Sequence, residues 1–122
     1  MLSASAPTSA YLVEGDRVEP LELTPERFGL RRAPLDTVRG GTVEENLRLA
    51  RTVLAGEPSP ARDVVLLNAG AGLFVAGQVP DIGAGVERAR ELVESGEVRR
   101  RLEHIRALSE QLRRENGGAN RP

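Results

Sequence analysis

The stretch SPARDVVLLNAGAGLFVAG, from Ser59 to Gly77, sets the terms for the rest of the chain. Between Val64 and Ala76 only Asn68 is polar. A helix that is apolar on every side has no face to give to water and belongs inside a protein. The run is too short to cross a bilayer, which takes roughly 20 residues. Its start is well marked. Ser59 can cap the free N–H groups, Pro60 suits the first helical position, and Asp63 puts negative charge in the first turn. Ala69, Gly70, Ala71 and Gly72 leave the middle with almost no side chain, so another backbone can approach closely. That approach offsets the cost of about 1 kcal/mol that each helical Gly carries relative to Ala. The expectation is a central helix covered by the other segments, with Leu67 buried and Gly72 at a close helix contact.

The chain has 122 residues, enough for one domain that buries about two-thirds of its unfolded surface. Met1 to Thr8 reads as a loop entering a strand. Tyr11, Leu12 and Val13 have strand composition, Glu14-Gly15-Asp16 supplies turn residues, and Val18, Leu21 and Leu23 resume an extended pattern. Pro20 cannot donate to a ladder, which places it on an edge strand or at a bulge. Two strands are marginal alone, so this hairpin is expected to belong to a larger sheet.

Thr24-Pro25-Glu26 opens a short turn that stops at Gly29, and Arg31 to Gly41 reads as a surface loop. Thr42 and Glu45 form a capping box ahead of a helix with Val43, Leu47, Ala50 and Leu54 on one face, ended by Gly56. After the central helix, Asp81 can cap a third, striped by Ile82, Val86, Ala89 and Val93 and broken at Ser95-Gly96. Val98, Leu102, Ile105, Leu108 and Leu112 mark a last helix, and 116–122 is expected to be a disordered tail.

Composition excludes much chemistry. There is no Cys and one His, so thiolate chemistry and two-histidine metal sites are absent. All 17 basic residues are Arg, which removes Schiff-base chemistry and a phosphate-loop lysine. A net charge of −1 gives no global attraction to nucleic acid. MLSASAPTSA has neither a basic start nor an apolar run, and a cytoplasmic protein without membrane contact is expected.

The remaining candidates read as structure. Gly70, Gly72 and Gly77 have the spacing G-x-G-x-x-x-x-G inside a helix with no strand before it, which suits packing rather than dinucleotide binding. Asn68 could touch a substrate, but an amide among apolar residues more simply bonds to nearby backbone. Glu44 and Glu45 are adjacent carboxylates that point in different directions on a helix. His104 stands among Arg and Glu as a solvated side chain. Arg99, Arg100, Arg101, Arg106, Arg113 and Arg114 are interleaved with Glu97, Glu103, Glu110 and Glu115, as on a solvated helix face. No catalytic, cofactor-binding or metal-binding residue is assigned.

LTPERFGL (Leu23 to Leu30), APLDTVRGG (Ala33 to Gly41) and NLRLARTVLAGEPSPARDVVLLNAGAGLFVAG (Asn46 to Gly77) together carry a resemblance. In this order they resemble the C-terminal end of the anthranilate phosphoribosyltransferase family. Ile82 to Leu102, with Gly85 and the Ser95-Gly96 break, looks like the family's following helices. The similarity runs from about Pro7 to Ser109. Gly70 and Gly72 stand where alanines are more usual in that family, and Phe74 where tyrosine is common.

The resemblance implies an α/β fold of which this part is mainly helical, with the hairpin joining a larger sheet. It places 1–115 in the C-terminal portion of the family's α/β domain. It implies transfer of a phosphoribosyl group from phosphoribosyl pyrophosphate to anthranilate, with Mg2+, in a homodimeric enzyme of tryptophan synthesis. The family's glycine-rich pyrophosphate loop, its basic anthranilate-side segment and its small helical domain all lie upstream of the matched part. Its metal-binding Asp-Glu pair comes just before a segment like Leu2 to Thr8, and Met1 stands where the glutamate would be. The expectation is a C-terminal fragment, inactive alone and binding no Mg2+ itself. Two other readings remain: a non-catalytic paralogue that holds nucleic acid through its Arg-rich end, and a free-standing helical interaction module.

Overall fold

Two strands and four helices carry the chain in a computed structural model that describes residues 1–117. Strand β1 is Thr8–Glu14 and β2 is Arg17–Leu23, paired antiparallel with Tyr11 opposite Pro20 and Val13 opposite Val18. Gly15 turns the chain at φ +57°, a left-handed conformation that glycine adopts without steric cost. The strands alternate as a half-covered sheet should. Ala10, Leu12 and Leu21 lie on the covered face, while Tyr11, Val13 and Val18 are exposed on the other. Among the described residues these two strands form the whole sheet.

The expected turn after Thr24 is a single 3-10 turn, Pro25–Phe28. A second 3-10 turn, Leu35–Val38, lies within the segment read as a plain loop. Helix α1 is Val43–Leu54, α2 is Pro60–Val75, α3 is Ile82–Glu94 and α4 is Glu97–Gly117. The caps are those the sequence announces. Thr42 and Glu45 bond reciprocally, the Ser59 hydroxyl accepts from the Arg62 N–H at 3.0 Å, and an Asp81 carboxylate oxygen accepts from the Ala84 N–H at 2.7 Å. Of the expected tail, Asn116 and Gly117 belong to α4. The remainder, 118–122, lies outside the described residues.

The core sits where α2 crosses α3. Leu66 and Leu67 of α2 pack with Val86, Ala89 and Val93 of α3 and with Leu30. Leu67 is 2% exposed, as expected of the central helix. Burying a side chain of this kind contributes about 1.5–3 kcal/mol. The crossing is close because both helices present glycine. A methyl at Gly70 would stand 2.5 Å from the Val86 nitrogen and 2.8 Å from the Gly85 carbonyl carbon.

Four expectations of cover are corrected. Gly72 is not at the close helix contact: no heavy atom lies within 4 Å of where its Cβ would be, and Gly70 takes that role instead. Neither is α2 enclosed on every side, since Val65 is 44% exposed and Val75 84%. Helix α3 covers one flank and the Leu2 strap is bonded to Asn68, while Val65 and Val75 stay exposed among the described residues. On α1, Val43, Leu47 and Ala50 of the expected apolar face are exposed, and the buried side chain is Val53. The stripe of α4 is likewise uncovered along its length, and no residue of that helix is buried.

Candidate functional site

Asn68 is the one polar side chain in the apolar run of α2, and its bonding is fully accounted for. Its Oδ1 accepts from the Leu2 N–H at 2.7 Å, and its Nδ2 donates to the Leu2 carbonyl at 3.0 Å and the Val64 carbonyl at 2.9 Å. The amide therefore pairs with the backbone of Leu2 as a neighbouring strand would. Ala33 N–H donates to the Ala4 carbonyl at 3.0 Å, which fixes the same N-terminal strap from its other side. The role is attachment of a distant segment to backbone.

The glycines hold no phosphate loop. Gly70 packs against α3, and Gly72 lies open. Gly77 ends α2 at φ +73°, with its N–H bonded to the Phe74 carbonyl at 3.0 Å and the Gln78 N–H to the Leu73 carbonyl at 2.9 Å. That pair of bonds is a Schellman motif, which closes a helix.

The carboxylates and arginines singled out from the sequence are dispersed. Glu45 Oε2 accepts from the Thr42 N–H at 2.7 Å in the capping box, and Glu44 does not join it. His104 is exposed on α4. Along the same helix Arg100 pairs with Glu97, Arg106 with Glu110 at 3.2 Å, and Arg114 with Glu110 at 3.9 Å. These local pairs make the basic cluster a mixed-charge solvated face.

Two polar clefts were not anticipated. One, of about 590 Å³, lies between the Gly40-Gly41 loop, α1 and the start of α2, with Arg39, Asn46, Arg48 and Ser59 on its walls. Asn46 holds the glycine pair in place, its Oδ1 accepting from the Gly41 N–H at 2.9 Å and its Nδ2 donating to the Gly41 carbonyl at 3.4 Å.

The other cleft, of about 620 Å³, is lined by Arg31, Arg32, Arg62, Asp63 and Arg90. Arg62 Nη1 donates to the Gly56 carbonyl at 2.9 Å and faces Glu94 Oε1 at 3.4 Å, tying α2 to the end of α1 and to α3. The Nε atoms of Arg62 and Arg90 are buried and unpaired. Burial pushes the Asp63 carboxyl above its usual range, and the charges of Arg62 and Arg90 act against that shift.

Neither cleft aligns a nucleophile, a base and an orienting group. Among the described residues no group of three or more His, Cys, Asp or Glu side chains could hold a metal ion. No helix among the described residues is long and apolar enough to cross a membrane.

Comparison with known proteins places these observations. Residues 1–99 match the model described as the glycosyl transferase family, a/b domain. The anthranilate phosphoribosyltransferase of Symbiobacterium thermophilum is 47% identical over 115 residues, which is 94% of this chain and 34% of that protein. The enzyme of the same name from Thermomicrobium roseum is 46% identical over 114 residues, 91% of this chain and 33% of that protein. The crystal structure of anthranilate phosphoribosyltransferase from Thermus thermophilus superposes with a TM-score of 0.72 at 43% identity, over 84% of this chain and 30% of its own. The chain thus spans about a third of the length of these curated relatives.

Proposed function

The chain belongs to the glycosyl transferase family through its a/b domain, and from that premise we propose that it is the C-terminal part of an anthranilate phosphoribosyltransferase. The observation that carries this reading is the 47% identity over 94% of the chain against 34% of the relative. The reaction moves a phosphoribosyl group from phosphoribosyl pyrophosphate to the amine of anthranilate. It needs the pyrophosphate and Mg2+ held while positive charge develops on the ribose, work for carboxylates and a loop of backbone N–H groups. Those groups belong to the portion of the family domain outside this chain. What this chain contributes is a scaffold: the α2–α3 core, the hairpin and the strap clamped by Asn68. The assembled enzyme is a cytoplasmic homodimer in this reading.

The test is direct. The purified 122-residue chain, supplied with phosphoribosyl pyrophosphate, anthranilate and Mg2+, is expected to form no phosphoribosyl anthranilate, with the reaction monitored by loss of anthranilate fluorescence. Fused behind the unmatched portion of the Symbiobacterium thermophilum relative, the same chain is expected to support turnover. Turnover by the chain alone, or none by the fusion when the intact relative is active, overturns the proposal.

A further inference from the structure

The cleft of about 620 Å³ beside the start of α2 gathers positive charge that the chain as a whole does not have. The net charge is −1, yet Arg31, Arg32, Arg62 and Arg90 line this cleft against a single carboxylate among the described residues, Asp63. Guanidiniums brought together from a loop, α2 and α3 repel one another unless an opposite charge answers them. Their own partners do so only in part. Arg32 holds Glu26, Arg62 faces Glu94 at 3.4 Å and Arg90 faces Glu87 at 3.6 Å. None of those three carboxylates lines the cleft, and each is at least half open to water, where ion pairing is weak. Arg31 enters no ion pair among the described residues. The Arg62 side chain is only 12% exposed, and its Nε and that of Arg90 are buried without an acceptor. Charges drawn out of water and left short of acceptors are stabilised by an added anion.

The surroundings suit one class of ligand. The planar fork of a guanidinium matches the oxygens of a phosphate, and several forks together match a dianion. Ser59 and Pro60 bring the N-terminus of α2 to the same cleft, which adds the positive end of a helix dipole. Leu30, Ala33, Pro34 and Pro58 line the remainder, leaving apolar room beyond what a lone phosphate fills. We propose that this cleft binds a small phosphate monoester, with its phosphate among Arg31, Arg62 and Arg90 and its organic part along the apolar residues. The inference stands on these residues and not on the phosphoribosyl transfer reading.

The full 122-residue chain is titrated with glycerol phosphate, inorganic phosphate and malonate, followed by calorimetry and by proton–nitrogen NMR of the arginine side chains. Glycerol phosphate is expected to bind more tightly than the other two. It should shift the Nε–H signals of Arg62 and Arg90 and leave that of Arg113 on α4 in place. Arg31→Gln, at an exposed position, is expected to keep the fold by circular dichroism and to weaken binding by about tenfold or more. Asp63→Asn is expected to tighten binding, because it removes the carboxylate of the cleft; arginines with a structural role alone give no such gain. Absence of binding at millimolar concentration overturns the proposal. So does binding that Arg31→Gln weakens no more than Arg113→Gln, or that Asp63→Asn leaves unchanged, because diffuse charge then explains it. Malonate binding as tightly as glycerol phosphate overturns the choice of phosphate, and inorganic phosphate binding more tightly overturns the choice of a monoester.

Discussion

Replacing Gly70 by Ala puts a methyl 2.5 Å from the Val86 nitrogen, a distance that backbone has to move to accommodate. Helix propensity alone favours the change by about 1 kcal/mol. Overpacking of this kind costs about 1–3 kcal/mol or more, and here the obstruction is backbone rather than a flexible side-chain tip. Gly70→Ala is expected to destabilise. Gly72→Ala, two positions on and facing open space, is expected to stabilise by about 0.5–1 kcal/mol. Urea denaturation of both variants checks the opposite signs. Composition marks both glycines as permissive of close approach, but only the packing of α3 says which one is used.

Two carboxylates carry opposite pH signatures. Burial raises the Asp63 carboxyl, so the folded chain holds that proton more tightly than the unfolded chain. Its contribution is favourable in acid and is lost as pH rises through the ordinary carboxylate range to the raised value. Asp63→Asn is therefore expected to raise the urea midpoint at neutral pH and to give no gain in acid. Glu26 runs the other way: hydrogen bonds from Arg32, at 2.8 and 3.2 Å, hold its carboxyl below the usual range. Its contribution is present above that range and fades as pH falls through it. In Arg32→Ala, a carbon-13 NMR titration is expected to find the Glu26 carboxyl moved up toward its ordinary value.

Among the elements, the helices and the hairpin were legible because their signals are local. A capping residue, a periodic stripe or a turn glycine acts within a few positions, and Thr42, Ser59, Asp81 and Gly15 all do what their neighbours require. Cover was not legible. The stripe Val43, Leu47, Ala50, Leu54 says that α1 offers an apolar face, not that this chain supplies something to meet it. The α4 stripe failed to find a partner for the same reason. The clamp on Leu2 was also out of reach, because it joins positions 66 residues apart. Asn68→Ala is expected to release that strap alone. Amide exchange at Leu2 should then accelerate at least tenfold, while Leu66 and Leu67 keep their protection. Equal acceleration in the middle of α2 contradicts a local clamp.

At the scale of the whole molecule, the candidate site is mostly a matter of what the chain leaves open. The α2–α3 core is complete in itself, whereas one flank of α2, one face of the hairpin and the apolar stripe of α4 are bare. No reading of residue types reveals this, since apolar patterning is the same whether a face is covered by its own chain or by other parts of a domain.

Helix α4 spans Glu97–Gly117 with no buried residue. At about 1.5 Å per residue it is a rod of roughly 31 Å, comparable to the diameter of a small domain. A compact chain of this length has a radius of gyration of ~14 Å. A rod standing off a small core adds mass far from the centre, so solution scattering from the monomer is expected to give a larger radius. The distance distribution should be skewed, with a tail at long separations. Removing 100–122 should restore a symmetric, bell-shaped distribution.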